Sequence, residues 1–232
     1  MRKLFSLVLI FVALAHDVKV VGVNGSLVNG IIDHLSEGLR NLLSSVLKDV
    51  GGLLTGLTLG VDNLSTNVLG TVSDLVDNLI SMVDGLLGEI LTANGRGLDE
   101  CENLLGDLEL VKEKTSEAVD ECRVTLDERT AVISGKLNAE EDRGNDVISR
   151  VTQSLQNCLK GLSVTSCISK VQRSAAKEIQ GVVKNVQSLS QRISATSDEV
   201  TKCLNFAEEN GRESANEIYQ KIQLCVAMST TE

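Results

Sequence analysis

The sequence has 232 residues, with one tyrosine, three phenylalanines, and neither tryptophan nor proline. Aromatic side chains are the usual large fillers of compact cores and proline interrupts helices. This composition therefore disfavours a sheet or sandwich and favours long helices that pack through aliphatic side chains. The formal net charge is -10, and no run of Lys or Arg is present, which excludes nucleic acid and anionic membrane surfaces as electrostatically favoured partners.

The first 15 residues predict a secretory signal peptide. Arg2 and Lys3 precede an apolar run, and Ala13 and Ala15 offer small side chains for cleavage. An uncleaved membrane anchor is the alternative, but the run is shorter than the roughly 20 residues that span a bilayer. We expect no later stretch to cross a membrane. The sequence thus predicts a secreted, extracellular protein.

Secretion gives two further sequence features a meaning. Asn24-Gly25-Ser26 and Asn63-Leu64-Ser65 match the acceptor pattern for N-glycosylation. The six cysteines are an even number, which in an oxidising compartment indicates a disulfide framework. We therefore predict glycans at Asn24 and Asn63 and expect every cysteine to be bonded.

Residues 26–95 form a Leu- and Gly-rich region without cysteine. Apolar residues recur there every three or four positions, which is typical of an amphipathic helix. The segment GGLLTGLTLG at 51–60 holds four glycines and predicts a bend. We therefore expect two amphipathic helices, which could lie along the rest of the protein as a bundle or be covered in an oligomer.

Residues 98–228 form a second region, which carries all six cysteines. Steps of three and four residues continue from Cys101 to Cys158 and again from Cys167 to Cys225, which indicates a coiled coil. This heptad reading includes Ala118, Glu140, Ala195 and Ser214 among the inward-facing positions. Glu140 is the polar exception, and Asn185 or Val186 is expected to face it.

The cysteine positions predict how this region folds. In an antiparallel helical hairpin, the position numbers of facing residues add up to a constant. The numbers of Cys158 and Cys167 add up to 325, as do those of Cys122 and Cys203, while those of Cys101 and Cys225 add up to 326. Of the fifteen full pairings that six cysteines allow, only this nested one has the property.

The predicted fold is therefore all-α: a long antiparallel, disulfide-stapled hairpin preceded by two amphipathic helices. The hairpin turns at Gly161-Leu162-Ser163, and Gly144 and Gly181 face each other so that the backbones approach closely enough for disulfides. Several shorter helices with local disulfides remain the alternative.

A search for catalytic chemistry gives no candidate. His16 lies beside the expected cleavage point and His34 within the first amphipathic helix, and neither belongs to a cluster with metal-ligand spacing. The charged stretch AEEDRGND at 139–146 is more typical of a solvated helix face than of a cation site. We predict a protein that is not an enzyme and uses no cofactor.

Five elements of the hairpin region carry a family resemblance. They are DEC at 99–101, DECR at 120–123, AEEDR at 139–143, the close pair Cys158 and Cys167, and IYQKIQLC at 218–225. With them, residues 99–226 resemble the tsetse EP-type domain family of secreted insect proteins. The resemblance implies secretion and a helical, disulfide-linked domain, and it supplies no active site. The chain lacks the Glu-Pro repeat tail of the namesake, and its N-terminal third lies outside the resemblance.

These observations predict a secreted interaction or scaffold protein of an insect body fluid, gut or gland secretion. A protein partner or self-association is expected, and nucleic acid is not. The alternative is a carrier of lipid or of a small hydrophobic ligand, in which residues 26–91 would supply the apolar surface.

Overall fold

The protein folds as three long α-helices, and no strand occurs in the described ranges. The structure is a computed structural model, and it describes residues 25–93, 99–160 and 163–229. The helices are α1 (Gly25–Ala93), α2 (Asp99–Cys158) and α3 (Val164–Ser229). The prediction of an all-α, disulfide-stapled helical fold is confirmed.

Three predicted features fall outside the described residues. They are the signal peptide at 1–15, the glycosylation site Asn24, and the residues Gly161-Leu162 of the hairpin turn. The flanks of that turn are described. Lys160 donates its backbone N–H to the Asn157 carbonyl, and Ser163 accepts the first backbone hydrogen bond of α3 from Cys167.

Helix α1 is continuous, so the prediction of two helices joined by a glycine bend is wrong. Each glycine within residues 51–60 lowers helix propensity by about 1 kcal/mol relative to alanine. The buried side of the helix nevertheless passes through this segment, since Val50, Leu57 and Val61 are all buried. Packing of that side outweighs the poor propensity, because tertiary contacts supply most of a helix's stability in proteins.

Contacts divide the chain into two compact units. Unit 1 comprises Met1–Leu53 and Ile133–Gln191, and unit 2 comprises Leu54–Val132 and Arg192–Glu232. Each unit therefore contains a segment of all three helices, and this division cuts across the sequence-based one near residue 95. The N-terminal region was expected either to pack along the hairpin or to be covered in an oligomer. In the structure α1 packs along the hairpin.

The three helices alternate in direction within each unit. In unit 1, Ser36 of α1 bonds Thr152 of α2 through their hydroxyl groups at 2.7 Å. In unit 2, Asp62 of α1 accepts a hydrogen bond from Arg123 of α2 at 2.8 Å. A second contact in each unit gives the direction: Leu43 of α1 lies against Gly144 of α2 in unit 1, and Asp77 of α1 pairs with Lys112 of α2 in unit 2. In each unit position numbers rise along α1 as they fall along α2, so the two helices are antiparallel in both units, as α2 and α3 are.

The spacing of buried residues differs between the units. In unit 1 the buried positions alternate at steps of four and three. They include Ile32, Ser36, Leu39, Leu43, Val46 and Val50 on α1, and Ala175, Ile179, Val182, Val186 and Leu189 on α3. In unit 2 the steps run three, four, four. The buried residues of α1 in unit 2 are Leu57, Val61, Ser65, Val68, Val72, Val76, Leu79, Val83 and Leu87.

The unit 2 pattern repeats every eleven residues on α2 and α3 as well. An eleven-residue repeat averages about 3.67 residues per turn against 3.5 for a heptad, so a heptad register drifts by one residue there. The heptad reading placed Ala118, Ala195 and Ser214 on the inward face. In each case the following residue is the buried one: Val119, Thr196 and Ala215.

Candidate interaction surface

Three disulfides join α2 to α3. Cys101–Cys225 and Cys122–Cys203 lie in unit 2, and Cys158–Cys167 lies in unit 1. Their Cα separations are 5.9, 5.8 and 5.5 Å, inside the range that disulfides require. No cysteine in the described ranges is free. Three disulfides are typical of a protein from an oxidising environment.

One glycine brings the three helices of unit 2 together. A Cβ added at Gly211 of α3 would lie 2.6 Å from Thr115 Oγ1 of α2 and 3.1 Å from Val72 Cγ2 of α1. Both neighbours are buried, and valine is stiff about χ1. Gly211 therefore permits a close approach that alanine would obstruct.

In unit 1, Gly144 plays the corresponding part. The Leu43 side chain of α1 occupies the space that a Cβ at Gly144 would need. An added Cβ at Gly181 would meet only Arg143 Nη2, at 3.9 Å. The expectation that the two glycines face each other is therefore wrong, because Gly144 makes room for α1 rather than for α3.

Glu140 forms the polar layer that the sequence predicts. Its Oε1 accepts a hydrogen bond of 2.8 Å from Asn185 Nδ2 on α3, which confirms one of the two expected partners. Its Oε2 is buried without a hydrogen bond, and Arg143 Nη1 lies 3.7 Å away, close enough for an ion pair. This layer joins α2 to α3 at a single register.

Surface ion pairs tie α1 to α2 in unit 2. Lys112 hydrogen-bonds the Asp77 carboxylate, and this bond lowers the pKa of Asp77 below its ordinary value. The lowered pKa means that the pair supports folding at neutral pH and that its contribution is lost as the pH falls through the acidic range. Asp77 is exposed and Lys112 is partly exposed, so salt screens the attraction.

The described side chains offer little for chemistry. No three His, Cys, Asp or Glu groups among them converge on a common point, and His34 is exposed. An open depression of about 460 Å³ lies on α3. Its lining residues are Asn205, Glu208, Glu209, Arg212, Glu213 and Asn216.

Unit 2 exposes several large apolar side chains on α2 and α3. Leu110 and Val132 of α2 are 44% and 54% exposed, and Phe206 of α3 is 64% exposed. Because positions in unit 2 repeat every eleven residues, Leu110 and Val132, which are 22 residues apart, lie on the same side of α2.

The same side of the hairpin carries Phe206. Arg129 of α2 donates to Glu199 of α3 at 3.3 Å, which marks where these helices face each other at the surface. Val132 follows Arg129 by three residues and Phe206 follows Glu199 by seven, so each lies on the same flank as its ion-pair residue. We name these three exposed residues, Leu110, Val132 and Phe206, the groove strip, after the groove between α2 and α3 that the Arg129–Glu199 pair crosses.

Sequence reasoning missed the groove strip. One signal was available: Phe206 is the single phenylalanine after Phe11, so the only phenylalanine beyond the predicted signal peptide is a surface residue. Aromatic side chains are enriched in protein interfaces, and the sequence alone could not show that this one is exposed.

Helix α1 corrects the expectation about membrane-spanning segments. Within the described residues, Ile32–Gly88 contains an 18-residue stretch of mean hydropathy 1.3, and by length and composition alone it is long and apolar enough to cross a bilayer. Leu39, Val61 and Val76 within Ile32–Gly88 are buried, and 28% of the apolar window as a whole is buried. A helix packed inside a bundle passes the same test of composition.

Comparison with known proteins gives one match. Residues 100–209 match the model of a family described as "Protein of unknown function (DUF725)". No curated protein and no solved structure matches the chain. The matched segment contains five of the six cysteines, all except Cys225. Over residues 100–209, slightly less than half of its 232 residues, the chain is therefore similar to the uncharacterised family DUF725.

Proposed function

We propose that this protein is a secreted, non-enzymatic interaction or scaffold protein whose groove strip docks a protein partner. The exposure of Phe206, 64% of its surface, carries the proposal. Covering an exposed aromatic side chain with a partner lowers the free energy of the complex. Aromatic residues also dominate the binding energy of many interfaces. Leu110 and Val132 add two further exposed apolar side chains on α2, about 33 Å apart along the helix.

The place of action is part of the same proposal. The three disulfides and the signal-like first 15 residues support secretion. Membership of the tsetse EP-type family, and action in an insect body fluid, gut or gland secretion, are supported by the cysteine-containing motifs at 99–101 and 120–123 and by the late motif at 218–225.

Replacing Phe206 by alanine should weaken partner binding by at least about tenfold, the loss typical of a central aromatic interface residue. Proteins retained from the native fluid by the immobilised full chain would be identified by mass spectrometry. The affinity of each, and the chain's self-association, would then be measured for wild type and variant. The melting temperature should not change, because Phe206 is exposed.

Leu53→Ala is the matched control, because Leu53 is 51% exposed and belongs to unit 1. It should bind as the wild type does. Equal affinities for all three proteins, or the absence of any saturable protein partner, would contradict the proposal.

The alternative, transport of lipid or of a hydrophobic ligand, is favoured by one observation on α1. This helix contains the apolar stretch Ile32–Gly88 and no cysteine, so no disulfide holds it to the hairpin. Release of α1 from α2 and α3 would expose its apolar side to lipid.

Flotation of the full chain with neutral phosphatidylcholine vesicles tests the carrier function. A carrier should float with the vesicles, and lipid should be extracted from the protein purified from its native fluid. A protein that stays at the bottom of the gradient and yields no lipid is not a carrier, whatever the outcome for Phe206.

A further inference from the structure

Ser65 is an unexpected residue for its position. It lies on the buried side of α1 in unit 2, is 1% exposed, and its Oγ has no hydrogen-bond partner. A buried hydroxyl without a partner loses its bonds to water and gains none in return. Alanine would fit the same space without that loss, so packing does not explain the serine.

Asn63 lies two residues earlier and is exposed. Together Asn63, Leu64 and Ser65 form the acceptor triplet, in which the serine hydroxyl is required and the asparagine is modified. The exposed Asn63 side chain is thus the one that would carry the glycan. The buried Ser65 hydroxyl is the group that the transferase must recognise.

The surface around Asn63 has room for a glycan. Residues three, four and seven positions away on a helix border the same surface. Here they are Gly56, Leu59, Gly60, Thr66, Asn67 and Gly70, all exposed and none charged. A Cβ added at any of the three glycines would meet nothing within 4 Å.

We infer that Asn63 carries an N-linked glycan that covers this glycine-rich side of α1, and that Ser65 is retained for its recognition rather than for folding. The inference rests on the proposed secretion. In the transfer, Asn63 Nδ2 forms a bond to the anomeric carbon of an oligosaccharide linked to a lipid pyrophosphate. The bond from that carbon to the pyrophosphate breaks, the amide loses a proton, and the lipid pyrophosphate leaves.

The buried position of Ser65 also sets the order of events. In the folded protein its hydroxyl is buried within unit 2, so the transferase can reach the triplet only before α1 packs in that unit. The glycan is therefore added to the unfolded chain, and it then keeps this side of α1 hydrated and closed to another helix.

Expression of the full chain in secretory eukaryotic cells tests the site. Glycopeptide mapping should find Asn63 modified in the wild type and in Ser65→Thr, which keeps the hydroxyl. It should be bare in Asn63→Gln and Ser65→Ala. An unmodified Asn63 in wild-type protein recovered from the medium would overturn the inference, whereas failure to reach the medium would count against the proposed secretion alone.

Two further measurements test the role of Ser65 and the order of events. In the Asn63→Gln background, in which position 63 carries no glycan whether or not Ser65 is present, adding Ser65→Ala should raise the melting temperature by about 2–4 °C; a fall would overturn the claim about Ser65. Microsomal transferase should modify folded, unglycosylated protein at least tenfold less than the reduced, unfolded chain. Equal modification would overturn the claimed order.

Discussion

Replacing Cys122 and Cys203 by serine is expected to lower the free energy of unfolding by about 4 kcal/mol. The Cys122–Cys203 disulfide joins residues 81 positions apart, and Cys101–Cys225 joins residues 124 apart. With Cys101–Cys225 intact, the shorter path that the Cys122–Cys203 disulfide closes has 21 residues from Cys101 to Cys122 and 22 from Cys203 to Cys225. A cross-link stabilises chiefly by restricting the unfolded chain, and the restriction grows with the length of the closed loop. A closed path of this length therefore gives a large effect.

The disulfide beside the turn is the control for this prediction. Cys158 and Cys167 are only 9 positions apart, so their replacement by serine should lower the free energy of unfolding by about 2.5 kcal/mol. Guanidinium titration of both double variants measures the difference, after peptide mapping has shown the other disulfides intact. A larger loss at the turn than at Cys122–Cys203 would contradict the loop argument.

Gly211→Ala is expected to lower the free energy of unfolding by about 1–2 kcal/mol, although alanine is the better helix former. The added methyl group would lie 2.6 Å from Thr115 Oγ1 and within about 3.2 Å of both Val72 methyl groups. Overpacking costs about 1–3 kcal/mol, and a contact as short as 2.6 Å places the cost near ~2–3 kcal/mol, so the gain in helix propensity of about 1 kcal/mol offsets only part of it.

Gly106→Ala makes the same chemical change on α2 of unit 2 in open surroundings. An added Cβ there meets nothing within 4 Å, and the residue is exposed. This variant should gain about 0.5–1 kcal/mol, so the two variants should differ by about 1.5–3 kcal/mol in a urea titration. Variants of equal stability would show that Gly211 is not packed closely against Thr115 of α2 and Val72 of α1.

The hairpin could be predicted because its strongest constraint, the spacing of the cysteines on either side of the turn, can be calculated from residue numbers alone. Facing cysteines at equal distances from the turn leave one nested pairing, and Cys101–Cys225, Cys122–Cys203 and Cys158–Cys167 are the pairs that the structure forms. The Glu140–Asn185 layer followed from the same register, because it lies close enough to the turn for a heptad count to hold.

The rest depended on packing that no local pattern reveals. The glycines at 51–60 predicted a bend because the sequence shows their low helix propensity but does not show the neighbouring helices that pack against this segment. The heptad count failed in unit 2, which contains α2 up to Val132 and α3 from Arg192 onward, because the repeat of buried residues lengthens there to eleven. The groove strip and the isolated Ser65 hydroxyl become visible only once exposure and burial are known, since the sequence shows neither.

Peptide mapping of the unreduced protein, digested at low pH to prevent exchange, tests the central claim most directly. That claim is that α2 and α3 run antiparallel from a single turn and are held together by nested disulfides. The map should contain three linked peptide pairs that join Cys101 to Cys225, Cys122 to Cys203 and Cys158 to Cys167. A peptide linking Cys101 to Cys122, or Cys203 to Cys225, would contradict it.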